Sequence, residues 1–161
     1  MTRCPANVVQ TSLADLVMLA RAMRPDEQEQ IRAFAGSFDP DTFAAGLMLR
    51  PGPKFTLLDA GGNPVVAGGY MPATEGVMDS WMVGTMDGWG THWRSITKAS
   101  RWMMDTLLEG GIRRLQTTVL ASRVQTCQWY MKSLKMTPEG IWRGYGQQGQ
   151  DVALFSRLAG E

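Results

Sequence analysis

The chain has 161 residues, 44% hydrophobic and 19% charged, and its 16 basic and 15 acidic residues leave a formal charge of +1. A chain of this size buries roughly 70% of its unfolded surface without staples, and the near-neutral balance excludes a long-range field that would draw it to nucleic acid or an anionic membrane. Cys4 and Cys127 lack C-x-x-C spacing and no eighteen apolar residues run together, so no zinc site, disulfide framework or membrane span is indicated. The expected setting is a reducing one, the cytosol or a particle assembled there.

Val8 and Val9 form a short β-prone start, and Thr11 and Ser12 offer hydroxyls to cap a helix. Leu13, Leu16, Val17, Ala20 and Met23 recur at helical spacing and predict a helix over Leu13–Met23. Pro25 starts a second helix through Phe34, whose first-turn Asp26, Glu27 and Glu29 oppose the positive end of its dipole. Asp39-Pro40 opens a third, to about Leu49. After the breaker Arg50–Pro53, the runs Phe55–Asp59, Val65–Tyr70 and Met78–Gly84 predict three successive antiparallel strands. Trp93, Ile96, Ser100, Met103 and Leu107 then mark a long amphipathic helix over Thr91–Glu109, with Arg94, Lys98 and Arg101 on another face, stopped by Gly110-Gly111. Arg114–Leu120 reads as a strand, and Val124, Cys127, Met131 and Leu134 as the apolar face of a helix. Two β-prone runs, Ile141–Tyr145 and Val152–Phe155, flank a turn at Gly146–Gly149. No linker or repeat divides the chain, so residues 1–161 form one expected domain.

The order of strand, helices, three antiparallel strands, long helix, strand, helix and two strands resembles the GCN5-related N-acetyltransferases (GNAT) over essentially the whole chain. The resemblance implies an α/β fold with a central, mixed, mostly antiparallel sheet of six to seven strands flanked by helices. Ser80–Thr85 followed by His92 and the basic helix, together with Ala22-Met23-Arg24-Pro25-Asp26, resembles small acetyltransferase-like proteins of podophages, some of whose relatives are internal virion proteins.

Such a family implies a site for acetyl-CoA, its pyrophosphate cradled on backbone amides between the fourth strand and the long helix. The family pattern there is Gln or Arg, two residues, Gly, one residue, then Gly or Ala. Here Gly84, Thr85, Gly88, Gly90, Thr91 and His92 are the candidate cofactor-binding residues, with no Gln or Arg in register and with Asp87 between them. A carboxylate about 4 Å from a phosphate costs on the order of 4 kcal/mol at an effective dielectric near 20. The family also has an Asn, a general-acid Tyr seven residues on, and a closing Gly-Phe. With Lys135-Met136 in the Gly-Phe place, Val124 replaces the Asn and Met131 the Tyr, which leaves Tyr130 one position away, either a general acid on a rotated helix or a packed aromatic with a wet hydroxyl. Glu75 and Asp79 are the candidate bases for an accepting amine.

Two readings follow from these residues. In the first the chain is a non-catalytic virion or structural component that takes no cofactor, acts in the host cytoplasm or the virion, and binds other phage structural proteins or a second copy of itself through Trp89, Trp93 and Trp142. In the alternative it is an acetyl-CoA-dependent N-acyltransferase acting on a primary amine, with Tyr130 as acid. Neither involves a metal, a membrane or sequence-specific binding of nucleic acid.

Overall fold

Apolar alternation in the strands and apolar stripes on the helices assemble into a three-layer arrangement in the computed structural model, which describes residues 3–161. Seven strands form one sheet, β1 (Val8–Val9), β2 (Lys54–Leu58), β3 (Pro64–Thr74), β4 (Val77–Gly84), β5 (Arg114–Leu120), β6 (Thr137–Trp142) and β7 (Val152–Leu158). Their spatial order is β1-β2-β3-β4-β5-β7-β6, antiparallel throughout except between β4 and β5. The first seven residues of β3 are all buried, as expected of a strand covered on both faces.

Helices α1 (Leu13–Arg21) and α3 (Pro40–Leu49) cover one face. Their Leu16, Leu19, Ala20, Ala44 and Leu47 pack on Ala67 and Val83 of the sheet. Ser12 caps α1 by accepting the Asp15 amide hydrogen at 3.2 Å, whereas Thr11 turns inward to a buried hydroxyl pair with Thr56. Helix α2 (Pro25–Ala35) lies beside them and packs Ala33 on Leu120 and Val152. The opposite face carries α4 (Met86–Glu109) and α5 (Val124–Gln128), with Ile96, Ala99, Met103 and Met104 of α4 set against Leu57, Leu115 and Val119. A π-helical turn, Trp129–Ser133, continues α5, and its Leu134 amide reaches back to the Trp129 carbonyl at 3.1 Å. This wide turn lets three consecutive residues, Trp129, Tyr130 and Met131, all reach the core, which ordinary α winding does not allow.

Several boundaries and one burial depart from the sequence reading, three of them with a bearing on the site. The long helix begins at Met86 and not at Thr91, because Thr85 caps it, accepting the Gly88 amide at 2.8 Å. The sixth strand is Thr137–Trp142 and not Ile141–Tyr145, since Pro138 and Gly140, poor residues in a central strand, are tolerated on the sheet edge that β6 forms. Val124, expected on an apolar face, is exposed at the start of α5.

Candidate functional site

Strands β4 and β5 pair only through Val77, Met78 and Asp79 opposite Arg114, Leu115 and Gln116. Beyond that point β4 stays with β3 and β5 with β7, so the two strands part. The parting leaves amide hydrogens on the inner edge of β4 without a sheet partner, and a buried donor in that position needs an acceptor from elsewhere.

Helix α2 supplies it. Glu27, 6% exposed, accepts the Gly84 amide hydrogen on Oε2 at 3.3 Å and the Trp89 indole N–H on Oε1 at 2.8 Å. Arg24 donates to the same carboxylate at 3.2 Å, and the Arg123 guanidinium lies 3.9 Å away. One turn on, Gln30 accepts from the Leu120 amide at 3.1 Å and from Arg123 at 2.7 Å, while Arg123 also donates to Asp26 at 2.9 Å. A single helix therefore bridges the ends of both diverging strands, Gly84 of β4 and Leu120 of β5. Burial pushes the Glu27 carboxyl above its ordinary value, and Arg24, Arg123, the Gly84 amide and the Trp89 indole oppose that rise.

Aromatic rings fill the space on the other side of the gap. The Trp89 ring meets Trp129 edge-on at 5.3 Å between centroids, and the Arg24 guanidinium lies 4.8 Å from its centre. Trp129 donates its indole N–H to Thr97 at 2.8 Å, and Tyr130 leans on Trp129 at 5.3 Å while stacking on Phe155 at 5.6 Å.

The expected glycine loop does not exist as a loop. Gly84 ends β4, Thr85 is the cap, and Gly88, Gly90, Thr91 and His92 lie inside α4, with His92 at a kink (φ −112°, ψ 17°). Two glycines in the opening turns disfavour a helix by roughly 1 kcal/mol each, but Gly88 is needed there because a Cβ would fall 2.4 Å from the Val65 carbonyl oxygen. Trp89, expected as an exposed anchor, is half-buried in the Glu27 network, whereas Trp93 and Trp142 are 46% and 43% exposed.

Of the expected acid and bases, two sit near the end of the β4–β5 pairing but on opposite faces of the sheet. Asp79 accepts from the Gln116 side chain at 2.7 Å, at the last paired position of β4 and β5. The Tyr130 hydroxyl meets Thr117, the next residue of β5, and burial pushes it above its ordinary value. Tyr130 is thus half-buried with its hydroxyl paired to Thr117, and the π-turn turns it toward β5. Lys135 stands at φ 58°, the left-handed conformation that favours the glycine the resemblance places there. Glu75 is apart from both, exposed in the turn between β3 and β4, its carbonyl bonded to Arg113.

Two open clefts border this network. One of about 620 Å³ lies between α2, α3 and the sheet, with Phe34, Phe43, Trp81, Trp142, Arg50 and Asp79 among its walls. The other, about 580 Å³, runs along α4 past Trp93, Arg94, Lys98 and Arg101 to Ser133. Among the described residues no cluster of His, Cys, Asp and Glu is placed to hold a metal ion, and no helix is long and apolar enough to cross a membrane.

The architecture is shared with solved acetyltransferases at low sequence identity. The chain superposes on a GNAT-family acetyltransferase from Bacillus anthracis with a TM-score of 0.75, at 14% identity over 96% of this chain and 95% of that one. A ribosomal-protein-alanine N-acetyltransferase from Brucella melitensis gives 0.73, at 12% identity over 94% and 98%. A phosphinothricin acetyltransferase from Sinorhizobium meliloti, in complex with acetyl-CoA, gives 0.66, at 13% identity over 100% and 90%. No protein-family model matches the chain, and no curated protein does. The fold is that of the GCN5-related N-acetyltransferases, a mixed and mostly antiparallel seven-stranded sheet flanked by helices.

Proposed function

We propose that this chain is a GNAT-fold protein whose coenzyme cleft has been closed from within, and that it works by binding other proteins without transferring an acetyl group. The observation that carries this reading is the Glu27 carboxylate seated on the Gly84 amide in the gap between β4 and β5. A coenzyme arm entering there would displace Glu27 from four donors and separate the Trp89–Trp129 pair. Its phosphates would meet Asp87 in the first turn of α4, where the Gly88 amide already bonds to Thr85. The exposed Trp93 and Trp142 suit anchors in a protein contact, and the sequence likeness to podophage proteins supports other structural proteins of a virion as partners, with the host cytoplasm and the particle as the places of action. Calorimetric titration with acetyl-CoA tests the reading, with no heat of binding at millimolar coenzyme as the expected outcome; micromolar binding overturns it.

A second reading, an acetyl-CoA-dependent N-acyltransferase for a primary amine, draws on one specific observation. Tyr130 meets Thr117 just past the last paired position of β4 and β5, where an acid for acyl transfer is expected, while Asp79 lies on the other face of the sheet. The names of the structural neighbours favour the same chemistry. Acetylation of any amine with multiple turnovers would establish it.

A further inference from the structure

Between α4, the π-turn and strands β2 to β4 lies a small chamber walled by Tyr70, Ser80, Met82, Ser100, Tyr130 and Leu134, among others. It offers about 20 Å³ to the centre of a water molecule, and one water needs about 10–15 Å³ on that measure together with two to four polar partners. Ser100, 4% exposed, lines it with a buried hydroxyl that has no protein partner. Its neighbours in the helix behave otherwise. In the same helix Thr97 and Thr106 bond back to the Trp93 and Trp102 carbonyls, each at 2.8 Å, the habitual resort of a hydroxyl inside a helix. The other polar side-chain groups in the walls are the Trp81 indole N–H and the hydroxyls of Tyr70, which is 7% exposed, of Ser80, and of Tyr130, which already meets Thr117.

We infer that this chamber is a binding site for one ordered water molecule, held by the Ser100 hydroxyl together with those of Tyr70 and Ser80. The water satisfies a donor that otherwise loses its hydrogen bonds on folding, and it ties α4 to β3 and β4 through groups that are too far apart in sequence to be linked by local structure. The site does not depend on whether the coenzyme cleft is closed.

The test combines density with the sign of a stability change. A high-resolution crystal structure of the full chain is expected to show a single spherical peak beside Ser100 Oγ, and an empty chamber overturns the inference. Ser100→Ala is expected to lower the melting temperature, because it strands the water and its remaining partners. If the chamber is dry, the same change removes an unsatisfied hydroxyl, and an unchanged or raised melting temperature overturns the inference. Tyr70→Phe is expected to act in the same direction as Ser100→Ala, and the double variant is expected to lose less than the two single losses together, since both would release one shared water. Strict additivity of the two losses counts against a shared ligand.

Discussion

Removing the Glu27 carboxylate is the most direct perturbation of the network between β4 and β5. In Glu27→Ala the Gly84 amide and the Trp89 indole lose their acceptor, and Arg24 and Arg123 lose a carboxylate in a place where their side chains are only 21% and 8% exposed. Cutting a buried ion pair from one side costs roughly 3–5 kcal/mol, since it leaves uncompensated charge out of water. Asp26 and Gln30 remain on Arg123, which places the loss near the lower end, about 3 kcal/mol. In a domain of this length each kcal/mol moves the melting temperature by about 2–4 °C, so circular dichroism is expected to record a fall of roughly 6–12 °C. Glu27→Gln, which keeps one acceptor oxygen, should fall by less. A change below about 2 °C in Glu27→Ala would mean that the carboxylate bridges nothing of consequence, and the argument for closure would go with it.

The two helix glycines separate by sign. Gly88→Ala is expected to destabilise, because its Cβ would press on the Val65 carbonyl, whereas Gly90→Ala meets nothing within 4 Å and should stabilise by up to about 1 kcal/mol; chemical denaturation of both variants checks the pair. Acid should weaken the fold through Asp39, Asp41, Asp59 and Glu139, whose carboxyls are held below their ordinary values by the Thr42 amide, Arg21, the Asn63 amide and Arg114 in turn. Their contribution is complete above the unfolded carboxyl value near 4 and is lost as pH falls through the lower folded values, so melting temperature should drop below about pH 4. Glu27 works in the opposite sense, favouring the fold most when protonated and losing that contribution as pH rises through its raised value, so Glu27→Gln should steepen the acid loss.

Much of the scaffold was legible from local pattern. The strand Arg114–Leu120 matches to the residue, because alternating burial and β-branched side chains agree with its place between two neighbours. The start of α4 was misjudged for a physical reason, since Gly88 and Gly90 read as breakers while the close approach of Val65 to Gly88 and the Glu27 anchor on Trp89 come from other elements. Glu27 itself was legible only as a first-turn residue facing the helix dipole. Its partners Gly84 and Trp89 lie 57 and 62 residues further on, and no spacing rule connects them. The nearby Arg24 and Asp26 belong to the same network, and nothing in their local sequence marks it. The widened turn at Trp129, which brings Tyr130 to Thr117, leaves no mark in composition or periodicity.

That widened turn carries one surplus residue in its circuit, and the surplus decides which side chain greets Thr117. Deleting a residue from the exposed stretch of α5 would let the segment wind ordinarily and swing the phenol away from β5. The chemistry available beneath the sheet is therefore set here by counting, and a single-codon insertion or deletion could exchange an aromatic hydroxyl for a thioether without altering any residue that touches the sheet.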